Sequence, residues 1–83
     1  MICFVYKTSS KADTYVYLRE RDDGRALPLE LARALGALAF VMQLELTPER
    51  RLARTDVTTL RANLLERGFH IQFPPGERQP DAA

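Results

Sequence analysis

Short apolar runs with sheet rhythm alternate along this chain with segments of helical rhythm. Ile2 to Tyr6 is rich in β-branched and aromatic residues, which predicts a strand. Lys7 to Ala12 is polar and reads as a loop. Thr14-Tyr15-Val16-Tyr17-Leu18 predicts a second strand, and the short connection predicts an antiparallel hairpin. The charged stretch Arg19 to Arg25 follows, with a turn at Asp23-Gly24, because Gly accepts positive φ without a steric penalty. Pro28 opens a helix that runs to Leu35. Leu31 and Leu35, four apart, share a face that Leu27 extends if the helix begins early, and Gly36 is the stop.

The second half runs strand, helical segments, strand, and shows no internal repeat of the first. Leu38 to Leu46 predicts a third strand, with Phe40, Met42, Leu44 and Leu46 on one face and Val41, Gln43 and Glu45 on the other. Thr47-Pro48-Glu49 is a helix-start signature for a short helical segment through Arg54. Thr55-Asp56 offers a second cap, and Val57, Leu60, Leu64 and Leu65 make the apolar stripe of a longer helix that Gly68 closes. Phe69 to Phe73 alternates as a half-buried fourth strand, ended by Pro74-Pro75. Gly76 to Ala83 carries no pattern and reads as a flexible tail behind a single domain over residues 1–75.

The predicted order is β-β-α-β-α-β, an α+β chain folded as one compact α/β sandwich. Its four-stranded sheet is at least partly antiparallel and is packed with helices. The first strand, apolar on both faces, suits a central position; the last, with one polar face, suits an edge. The pattern is compatible with both helices on one face or one on each.

Composition narrows the function. The 83 residues allow one domain, which on folding buries about 64% of the surface of its unfolded chain. Twelve Lys and Arg against eleven Asp and Glu leave a net charge of +1, which argues against a general polyanion binder. One Cys and one His exclude an internal disulfide and a thiolate zinc site. The first residues lack a basic n-region and no window reaches the ~20 apolar residues of a membrane span, so the expectation is a cytoplasmic protein without a membrane partner. The composition calls for no cofactor and no metal.

The one local charge excess is Arg50, Arg51 and Arg54, with Arg50 and Arg54 on one helical face. Guanidinium forks suit phosphate or an RNA backbone. The same groups also suit a structural salt bridge to Asp22 and Asp23 that clips the charged loop to the helix, which is the commoner use of such arginines. Tyr15 and Tyr17 point to one face and form a candidate aromatic surface. Few basic residues flank them, so core or partner packing is preferred to base stacking. Cys3, between Ile2 and Phe4, reads as a buried inert thiol. His70 sits on the more polar face of the last strand, and nothing in the sequence supplies the third group that a Cys–His catalytic pair needs.

Several of these segments together resemble the YcgL domain family of small bacterial proteins. They are Met1-x-Cys3-x-Val5-Tyr6-Lys7, Asp13-x-Tyr15-x-Tyr17-Leu18, Arg21-Asp22-Asp23, Val41-Met42-x-Leu44-x-Leu46, Arg51-Leu52-Ala53-Arg54-x-Asp56-Val57 and Gly68-Phe69-x-x-Gln72-x-Pro74-Pro75. The likeness runs in order over residues 1–75. Departures are His70, where the family often has Tyr, and a missing Pro near Ala37. The resemblance implies a single α/β sandwich domain and brings no activity or catalytic residues with it. The preferred function is therefore a non-enzymatic interaction module for another cytoplasmic protein. The alternative is RNA or phosphate-anion binding through the arginines.

Overall fold

The computed structural model describes residues 1–21, 24–47, 49 and 56–73. The elements follow the predicted order: β1 (Ile2–Thr8), β2 (Tyr15–Leu18), a 3-10 turn (Gly24–Ala26), α1 (Leu29–Leu35), β3 (Leu38–Glu45), α2 (Val57–Arg67) and β4 (Phe69–Gln72). The expected helical segment from Thr47 through Arg54, Asp23 of the expected turn, and the tail lie wholly or largely outside the described residues.

β1 is two residues longer than its apolar run. Lys7 stands opposite Tyr15 and Ala39, and Thr8 opposite Leu38, so sheet pairing holds polar residues that propensity alone assigns to a loop. The Thr8 hydroxyl donates to the Lys11 carbonyl across 2.8 Å, and Thr8 N–H donates to Thr14 O. Pro28 occupies the N-cap of α1, one position before its expected place inside the helix. Asp56 caps α2: its carboxylate accepts from Thr59 N–H at 3.1 Å and from the Thr59 hydroxyl at 3.0 Å. Gly68 ends α2 in the left-handed conformation, φ 84°, and its N–H donates to Leu64 O.

All strand pairs are antiparallel, in the order β3-β1-β2-β4. β1 is central, as its two apolar faces require, and β4 is an outer strand. The helices take opposite faces. Leu35 of α1, with Leu27 before it and Leu31 and Ala32 beside it, covers Tyr6, Val16 and Leu18. Leu60 and Leu64 of α2 cover Cys3, Val5, Tyr17, Leu44 and Leu46. The result is an α/β/α sandwich with two small cores divided by one sheet.

One expectation on β3 is corrected. Phe40 does not share a face with Met42, Leu44 and Leu46. The register steps between Val5 and Tyr6, so that Met42 stands opposite Val5 and Phe40 opposite Tyr6. Val41 is the extra residue of a β-bulge, and a one-residue insertion inverts the alternation beyond it. Phe40 therefore joins the α1 face with Tyr6, while Met42 and Leu44 stay on the α2 face.

Candidate interaction surface

The sequence-derived site residues separate into two groups. Arg50, Arg51, Arg54, Asp22 and Asp23 lie outside the described residues. Tyr15 and Tyr17 share the α2 face. Tyr17 is buried in the α2 core, and its hydroxyl lies 3.0 Å from Gln72 Oε1, to which it donates. Tyr15 is half-buried at the margin of the same core. Tyr6 is buried on the opposite face. The aromatic hairpin thus spends its rings on the two cores.

His70 is half-buried on β4, opposite Tyr17, with ring centroids 5.8 Å apart in an edge-to-face arrangement. Asn63 of α2 places its side-chain amide 2.8 Å from His70 Nδ1. Burial lowers the imidazole pKa below its usual value, and the positive charge of Arg67 lowers it further. Cys3 is fully buried on β1. β2 runs between β1 and β4, so the thiol and the imidazole are on strands about 10 Å apart and do not meet. Among the described residues no three His, Cys, Asp or Glu side chains gather as a metal ion requires, and no helix is long and apolar enough to cross a membrane.

The surface that stands out is on β3, an outer strand of the sheet among the described residues. Phe40, Val41 and Met42 are consecutive and 41%, 47% and 46% exposed. Short α1 covers the sheet around β1 and β2 and leaves this margin open. Phe40 rests edge-on against Tyr6, at 5.6 Å and 72°, and the Arg21 guanidinium lies 4.2 Å from its ring centre. Among the other described residues, exposed large apolar side chains are scattered singly, as at Ile2, Leu29 and Leu65. A separate open cleft of about 500 Å³ lies where the end of β2 meets the end of α2. Its charges, Arg19 and Arg67 against Glu20 and Glu66, cancel.

Sequence reasoning missed this margin. The run Leu38-Ala39-Phe40-Val41-Met42 has the apolarity of a strand covered on both sides, and nothing local marks it as outer. The available signal was the lack of any charged residue from Leu38 to Leu44.

Comparison with known proteins decides the family. The YcgL domain profile matches residues 3–75, nearly the whole described chain. The chain belongs to the YcgL domain family. A YcgL domain-containing protein of Thioalkalivibrio sulfidiphilus is 45% identical over 80 residues, covering 96% of this chain and 99% of that protein. One from Stenotrophomonas maltophilia is 49% identical over 75 residues, 90% and 87% of the two chains. One from Pseudoalteromonas atlantica is 43% identical over 77 residues, 93% and 81%. The YcgL match spans both cores and β3.

Proposed function

We propose that this YcgL domain is a non-enzymatic interaction module that binds a protein through the outer strand β3, in the reducing cytoplasm that suits its lone buried thiol. The observation that carries this reading is the exposed sequence Phe40-Val41-Met42 on a strand with one neighbour among the described residues. Exposed, uncharged outer strands pair readily with another chain, and contiguous apolar side chains mark contact surfaces. The test compares wild type with a Phe40→Lys/Met42→Lys variant as bait in a bacterial lysate. A protein retained by wild type and lost from a folded variant supports the reading; equal retention by both defeats it.

The arginine triplet supports a second reading, RNA or phosphate-anion binding. It rests on the sequence of residues 50–54 and predicts salt-dependent binding of single-stranded RNA, weakened by Arg→Ala at positions 50, 51 and 54. Flat anisotropy at low salt removes it.

A further inference from the structure

The chain carries its sulfur in Met1, Cys3 and Met42, and the fold gives each a different setting. Cys3 is 0% exposed inside the α2 core. Met1 is half-buried and packs against that core, and its carbonyl accepts from Leu46 N–H at 2.7 Å. Met42 belongs to neither core and is 46% exposed on β3. Chemistry alone ranks the thiol ahead of the thioethers toward an oxidant, because its thiolate is the stronger nucleophile. The fold reverses that rank: it seals the thiol and presents one thioether to solvent.

We propose that Met42 is an oxidation site: a peroxide converts its thioether to the sulfoxide in the folded protein, and that one oxygen removes the apolar character of the contact strand. In the reaction a sulfur lone pair attacks one oxygen of hydrogen peroxide or of an organic hydroperoxide. The S–O bond forms as the O–O bond breaks. Sulfur is oxidised by two electrons, and the departing oxygen takes the proton of the transferred hydroxyl and leaves as water or an alcohol. The step draws on no side chain other than Met42. Methionine sulfoxide reductases, one for each sulfoxide epimer, reverse it, so the surface is reset and not destroyed.

The fold tolerates the product. Met42 stands opposite Val5, and Val5 packs with Leu60 and Leu64 of α2 in a core that Met42 does not enter. Backbone groups make the β1–β3 ladder, and oxidation at sulfur leaves them unchanged. The surface does not tolerate it. A flexible, polarizable thioether suits an adaptable apolar contact. A sulfoxide puts a strong hydrogen-bond acceptor at the end of Phe40-Val41-Met42, and a partner packing there must strip it of water. The run Leu38 to Leu44 contains no Lys or Arg that would pair with the new oxygen. The inference rests on the reading of β3 as the contact strand and names how that strand is regulated.

Peptide mapping of the full chain after dilute hydrogen peroxide should find one added oxygen at Met42 several-fold sooner than at Met1, with the Cys3 thiol still open to alkylation once the protein is unfolded. In urea the order should invert, and Cys3 should react first. The singly oxidised protein should keep the wild-type circular dichroism and leave a hydrophobic-interaction column earlier than the untreated protein. Treatment with both sulfoxide reductases should restore its retention. Met42→Leu, which has no thioether, should elute at one position with or without peroxide. Oxidation of Met1 or Cys3 as fast as Met42 in the folded chain overturns the site. Loss of the folded spectrum on single oxidation, or unchanged column retention, overturns the surface effect. The lysate comparison above tests the contact strand itself and is decided independently, since neither the mapping nor the column needs a partner.

Discussion

The side-chain amide of Asn63 on α2 meets Nδ1 of His70 on β4 at 2.8 Å, tying the last helix to the last strand through a neutral imidazole. An Nδ1 that accepts from Asn63 carries no proton, so the ring proton is on Nε2. Protonation replaces that acceptor with a donor facing a donor. Burial and Arg67 oppose the same step.

Stability should follow. The folded-state pKa of His70 lies below the unfolded value of about 6.5, so its contribution is complete above that pH and is lost as pH falls toward the folded pKa. Urea unfolding should give level stability from about pH 8 to 7 and a decline beginning near 6.5. His70→Gln keeps an acceptor for Asn63 without a titrating ring and should flatten the decline above about pH 5. An unchanged decline in that variant would assign the slope to other groups.

Leu60 and Leu64 carry the docking of α2, and both are fully buried, whereas Leu65 is 55% exposed. Leu60→Ala should cost about 2–5 kcal/mol by lost transfer energy and cavity formation. Leu65→Ala should stay within about 0.5 kcal/mol. Thermal melts that rank the two the other way would mean that the helix is rotated from the face described.

The two helix-ending glycines differ. Gly36 has φ 76° and ψ −155°, a region open essentially to Gly alone, and an added methyl meets the Ser9 and Ser10 hydroxyls. Gly68 has φ 84° and ψ −1°, and a methyl there meets only Ala26 Cβ at 3.4 Å. Gly36→Ala should therefore cost more than Gly68→Ala, which is set near 1–2 kcal/mol by the left-handed penalty alone. Denaturant midpoints of the two variants, measured side by side, check the order.

Removing the α2 cap gives an independent measure of local design. Asp56→Ala leaves Thr59 N–H without its side-chain acceptor and should cost about 1 kcal/mol, while Asp56→Asn or Asp56→Ser should recover most of that loss. Equal losses in all three would show that Asp56 acts through something other than its cap.

Much of this architecture is legible locally. The stripe of Leu60 and Leu64, the Asp56 cap, the glycine stops at 36 and 68 and the short apolar runs each announce an element within a few residues of chain. β1 declares itself central because Cys3 and Val5 on one face and Phe4 and Tyr6 on the other are all apolar. The candidate site was less legible. Tyr15 and Tyr17 share a face in the sequence pattern, but whether that face is core or surface depends on α2 lying over it, and α2 is some forty residues later in the chain. Unbroken strand periodicity puts Phe40 on the face of Met42, whereas the register step at Val41 moves it to the other face.

By itself the sequence determined the element order, the family and the balance of two apolar faces around β1, because these follow from residue spacing and composition. Tertiary structure alone decided the allocation of α1 and α2 to opposite faces, the outer position of β3 and the bulge at Val41. Periodicity records which side chains share a face within one element and is blind to which neighbour covers that face. A single unpaired residue inverts the phase of everything beyond it, and only pairing against β1 shows where that residue falls.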